Sequence, residues 1–175
     1  MKKIFSLIFI SFFLSSCLST SRIHQTGPSL QIPFYSSSDY KCGPAALASV
    51  INYWYRKAGL PDISIQEIID SIYSQGARGV LGIDLEIYAR KKGFDTIQKS
   101  ATVEELKAFI NEGIPPIILV SYGFSVYQLD HFMVVKGYNE KGIIVNSKKP
   151  DQFISYKELS RIWKRAGYWM LVIKP

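Results

Sequence analysis

The chain has 175 residues, 47% of them hydrophobic, which suits one domain of ordinary size with a real core. Its 21 basic residues against 14 acidic ones give a formal charge of +7, yet apart from Arg90-Lys91-Lys92 and Lys148-Lys149 the positive side chains are scattered, and no run is dense enough to indicate a nucleic-acid partner. With two cysteines and two histidines in all, neither a zinc site built by the protein nor any other cofactor is expected.

Lys2 and Lys3 precede an apolar run over residues 4–14 that is too short for a comfortable permanent span, and small residues follow it. This is the pattern of a secretory signal. The end of that signal, Leu14-Ser15-Ser16-Cys17, resembles a bacterial lipobox. The resemblance implies a signal peptide over residues 1–16, with diacylglyceryl transfer to Cys17 and a membrane anchor through that lipid. Leu18 stands after the cysteine in place of an aspartate, which leans towards the outer membrane, facing the periplasm, if the source has one. Residues 18–30 are polar and without period, so the lipidated cysteine and a flexible tether occupy 17–30, with His24 solvated in it. Without Lys2 and Lys3 the balance is 19 basic to 14 acidic, about +5.

The folded domain then runs over residues 31–175, and its first helix lies in residues 39–59. Leu47, Val50, Ile51 and Trp54 recur at i, i+3, i+4 and i+7, so one face is buried. Pro44 suits the first helical position, and Lys57, Gly59 and Pro61 mark the end. Cys42 therefore sits on the first turn, where unpaired N–H groups and the helix dipole favour a thiolate and can receive an oxyanion. A cysteine at such a place can also be just a small buried hydrophobe. If Cys17 carries lipid, however, Cys42 has no partner in the chain, and an unpaired thiol in an exported protein points to use of its reactivity.

Ser64 and Glu67 form a capping-box signature before the stripe Ile65, Ile68, Ile69, Ile72. A turn over residues 75–79 leads to a helix over 81–92 whose end, Arg90-Lys91-Lys92, answers the helix dipole before Gly93. Residues 94–98 are a short strand. Thr102 and Glu105 repeat the capping signature and open a helix with Leu106, Phe109 and Ile110 inward, ended by Gly113. After Pro115-Pro116 the period changes. Residues 117–122, 132–138 and 143–146 are β-rich, the last two joined by the turn Asn139-Glu140-Lys141-Gly142. A short helix over 156–166 and a buried strand over 168–173 close the chain. Helices first and an antiparallel sheet second make an α+β fold.

His131 opens the strand HFMVVKGY and is the one histidine after residue 24. A cysteine nucleophile needs a group that takes the thiol proton and returns it to the leaving group, and imidazole is suited to that at neutral pH. CGPAAL at a helix start, followed downstream by HFMVVKGYN, resembles the papain-like double-glycine peptidases, which clip leader peptides of bacteriocins at the N-terminus of ABC exporters. The likeness is closer to an exported, lipid-anchored branch without a transporter. ARGVLGIDLEIYARKKG, IPPIILVSYG and ELSRIWKRAGYWMLVIKP extend it over residues 31–175.

This resemblance implies Cys42 as nucleophile, at the N-terminus of the first helix, and His131 as general base and acid. The family's oxyanion glutamine lies five or six residues before the cysteine, where this chain has Ser37 and Ser36. The family's third residue is an aspartate. Ungapped alignment puts Ser147 there with Asn146 adjacent. Asn146 can orient an imidazole as in Cys-His-Asn triads, if the hairpin is shifted by one residue or bulged. Asp130 and Asp151 are further candidates. The expected function is amide hydrolysis on a peptide or envelope protein. The alternatives are a catalytically weak relative that binds a peptide in the old cleft, or a transpeptidase resembling the phytochelatin synthases.

Overall fold

A computed structural model describes residues 27–36, 41–74, 76, 79–123 and 129–175. The signal segment, Cys17 and His24 lie outside these residues, as does Ser37. Among the described residues, six strands form one antiparallel sheet: β1 (Asp95–Ser100), β2 (Ile117–Ser121), β3 (Asp130–Tyr138), β4 (Gly142–Asn146), β5 (Gln152–Ser155) and β6 (Trp169–Lys174). Their order across the sheet is β1-β6-β2-β3-β4-β5. The helices of the described residues that flank it are α1 (Cys42–Lys57), α2 (Ile65–Ile72), α3 (Gly82–Lys91), α4 (Val103–Asn111) and α5 (Tyr156–Arg165). Among the described residues no helix is long and apolar enough to cross a membrane.

The expected helices and strands are present, and the class is α+β. β5 was not expected. It is four residues long and only Ile154 in it is buried, so no apolar run announces it. α1 begins at Cys42, two residues before the proline read as its first position.

Strand alternation divides the core in two. On one face Leu47, Val50 and Ile51 of α1 pack on Ile117, Phe132, Val134 and Leu171. On the other, Leu106 and Ile110 of α4 and Leu159, Ile162 and Trp163 of α5 cover Ile118, Met133, Val145 and Val172. The capping signatures do what their chemistry requires. Thr102 Oγ1 accepts from Glu105 N, and Glu105 Oε2 accepts from Thr102 N. Ser64 Oγ accepts from Glu67 N.

Two connections fix the approach to α1. Buried Asn52 donates to Tyr35 Oη (2.7 Å) and Ile63 O (2.9 Å) and accepts from Ile63 N (2.9 Å), tying the segments on either side of the helix to its middle. The chain before α1 is anchored further back as well. Leu30 N donates to Lys136 O (2.7 Å), Tyr138 N donates to Pro28 O (3.3 Å), and Ser29 bridges Gly137. Residues 28–30, read above as the end of a tether, thus lie hydrogen-bonded along β3.

Candidate active site

Cys42 is the first residue of α1, preceded by the N-cap Lys41, and the first turn carries no acidic residue. Phe132 of β3 and Val80, just before α3, close on this turn. A Cβ at Gly43 would lie 2.3 Å from Val80 Cγ2 and 3.3 Å from the Phe132 ring, so any side chain at the second helical position would have to displace Val80. The thiol is half-buried. Burial pushes it up from its ordinary value, against the opposing pull of the backbone N–H groups of Phe132, Gly43 and Cys42 and of the Lys148 charge. The Phe132 N–H is available to the sulfur because β4 ends at Asn146, opposite Val134 and two residues short of Phe132.

His131 is the second residue of β3 and is buried. Its Nε2 lies 2.8 Å from Ser147 Oγ. Burial, and then the Lys148 charge, bring its pKa down to about 4. At neutral pH both groups are therefore neutral, and Cys42 is not the thiolate that a helix start by itself suggests.

The structure brings Cys42 to the Phe132 N–H, next along the chain from His131, and brings Ser147 to His131. Asn146 goes elsewhere, which corrects its assignment to the imidazole. Its Nδ2 donates to Ile32 O (3.4 Å) and its Oδ1 accepts from Asp151 N (3.3 Å). The cause is a bulge. Tyr138 and Gly137 pair with Ile143 and Ile144, but Lys136 is skipped, so Val135 meets Val145 and Val134 meets Asn146. Paired residues share a face. Asn146 therefore faces with Val134 towards α1, and Ser147 falls on the face of Met133 and His131. Without the bulge Asn146 would pair with Val135, on the imidazole's face. The bulge expected to favour Asn146 does the reverse.

The other candidates are also placed. Asp151 binds Lys136, with Nζ to Oδ1 at 2.6 Å, and Asp130 is exposed at the start of β3, opposite Ser121. Ser36 is exposed. Lys148, whose charge acts on Cys42 and His131, belongs to the pair Lys148-Lys149, and nothing in the spacing of that pair ties it to the site.

This helix-on-sheet fold, with a cysteine at a helix start and a histidine at a strand start, is that of the papain-like cysteine peptidases. A model of the peptidase C39-like family matches residues 29–169, and the chain belongs to that family. Solved structures agree on the fold. A protein from Bacillus anthracis described as C39-like peptidase superposes with a TM-score of 0.67 at 15% identity, covering 85% of this chain and 98% of its own. The double-glycine-motif protease of an AMS/PCAT transporter, solved with its leader peptide, gives 0.66 at 22% identity, covering 86% and 99%. The peptidase domain of Streptococcus ComA, an ABC transporter of a quorum-sensing pathway, gives 0.64 at 21%, covering 83% and 98%. No curated protein was found to match the chain.

Proposed function

We propose that the protein is a lipid-anchored cysteine peptidase that cleaves an amide bond in a peptide or envelope protein. Cys42 is the nucleophile, His131 the base and acid, and Ser147 the residue that orients the imidazole. The observation that carries this reading is that the Cys42 thiol meets the Phe132 N–H, one residue along β3 from His131, whose Nε2 lies 2.8 Å from Ser147 Oγ.

The bond to Ser147 occupies Nε2, so Nδ1 is the nitrogen left for the thiol proton, with Nε2–H donating to Oγ. As sulfur bonds to the substrate carbonyl carbon, the thiol proton passes to Nδ1, and the oxyanion is received by N–H groups at the first turn of α1. The imidazolium then gives the proton to the departing amine as the C–N bond breaks. Water, deprotonated by the same nitrogen, hydrolyses the thioester. The neighbour solved with a leader peptide supports a peptide as substrate class. A lipid on Cys17 would place the domain beyond the membrane, past the point at which exporter leaders are removed, which favours a peptide or protein of the envelope.

One observation favours a second reading, a weak enzyme that mainly binds peptide. Both members of the pair are held neutral, and Ser147 offers the imidazolium no charge. The two readings part on incubation with a complex peptide mixture, followed by mass spectrometry. The peptidase reading predicts defined cleavages by the wild type, none by Cys42→Ala, and an unchanged melting temperature for that variant. Cleavage that persists in Cys42→Ala contradicts it, and peptide binding without cleavage by the wild type establishes the other.

A further inference from the structure

We infer that Lys148 selects for a carboxylate beside the scissile bond, so that the substrate class is an acidic peptide. The inference rests on the Cys42–His131 reading and deepens it. Lys148 directly follows Ser147, whose hydroxyl is 2.8 Å from His131 Nε2, so its backbone stands next to the residue that meets the imidazole. The bend that holds it is ordered by Ser147 N donating to Lys149 O (3.2 Å) and Lys149 N donating to Gln152 Oε1 (3.2 Å).

The Lys148 side chain is exposed, and no ion pair among the described residues engages it. This sets it apart from Lys92, Lys99 and Lys136, each of which has a carboxylate partner. Its field reaches both Cys42 and His131. The other lysine at the site, Lys41, precedes the nucleophile at an N-cap whose helix has no acidic residue in its first turn. Asp130, which precedes His131, stands at the exposed start of β3, and Asp151, three residues after Lys148, is engaged by Lys136. A substrate carboxylate here meets an unpaired ammonium and the positive end of α1, and a cationic group is repelled.

The recognised group can be an Asp or Glu side chain, as in an endopeptidase, or the terminal carboxylate of a peptide, as in a carboxypeptidase. The test uses charge-matched probes of Cys42 that require no turnover, so its failure is distinct from failure of the peptidase reading. Alkylation of the full chain by iodoacetate and by iodoacetamide is followed at low salt by mass spectrometry of the peptide containing Cys42. The same thiolate displaces iodide from both reagents, so the ratio of the iodoacetate rate to the iodoacetamide rate cancels the thiol pKa. The ratio is expected to fall about 3- to 10-fold in Lys148→Gln and further in Lys148→Glu, and to fall in the wild type as salt is raised. An equal ratio in wild type and Lys148→Gln overturns the inference.

Protection of Cys42 from iodoacetamide then identifies the source of the carboxylate. The probes are N-acetyl-Glu-Ala-amide and N-acetyl-Ala-Ala, with N-acetyl-Ala-Ala-amide as the uncharged control. Stronger protection by the first supports a side-chain carboxylate, and by the second a terminal one. Protection by neither beyond the control counts against the inference.

Discussion

In the proposed mechanism His131 both takes and returns the proton, and its burial has a consequence for stability. Its folded-state pKa of about 4 lies below the ordinary 6.5, so on acidification the unfolded chain takes the proton first. The contribution of neutral His131 is complete above about pH 6.5, is lost as pH falls from there to about 4, and is lost no further below, about 3 kcal/mol in all. Urea unfolding at pH 7.5 and pH 4.5 is expected to show a steeper acid loss in the wild type than in His131→Gln. Equal losses would mean that the imidazole is not held neutral. The positions of Cys42 at a helix start and His131 near a strand start were legible in the sequence because strong local signals set both starts, Gly-Pro for the helix and the apolar run for the strand. The third residue was not, because choosing between Asn146 and Ser147 requires a strand register, and one skipped residue reverses the facing side.

That register belongs to the β3–β4 hairpin. Lys136 at the bulge is buried, and its ammonium is met by Asp151, which is itself half exposed and takes a positive φ of 55°. Asp151 also donates its N–H to Asn146, so one small network fastens the bulge to the loop that carries Ser147 and Lys148. Asp151→Asn keeps a residue tolerant of positive φ and removes the charge. It is expected to cost about 1–2 kcal/mol, less than a fully buried pair because Asp151 reaches solvent, and thermal denaturation measures this. No loss of stability would show that the ion pair does not hold the bulge. None of this network was legible in the sequence. It joins a lysine in an apolar strand to an aspartate in a turn, and neither spacing nor period links them. The helices were far easier to read, since their caps and stripes are local, and the short β5 was missed because its signal is not.

At the scale of the whole molecule, the domain is tied to its own N-terminal segment. Residues 28–30 lie along β3 and Ile32 enters the core, so a tether from Cys17 would end sooner than the polar composition suggested. Composition marks a segment as able to stay solvated, but backbone groups at the end of β3 gave this one a place to bind. If Cys17 carries lipid, Cys17→Ala is expected to move the chain from the membrane to the soluble fraction, with the domain's melting temperature unchanged. Retention in the membrane fraction would contradict that anchor.

The central claim is that Cys42, His131 and Ser147 act as one unit, and a carboxylate placed at Ser147 tests it most directly. An ionised group next to Nε2 favours the imidazolium and, through it, the Cys42 thiolate. The measurement is the rate of Cys42 alkylation by iodoacetamide against pH in the wild type, Ser147→Asp, and Ser147→Asp combined with His131→Ala. The account predicts a wild-type midpoint above that of an ordinary thiol. It predicts a midpoint lower by at least about one pH unit in Ser147→Asp, with that gain abolished when His131 is removed. A Ser147→Asp profile that overlays the wild type, or a shift that survives the loss of His131, would contradict it.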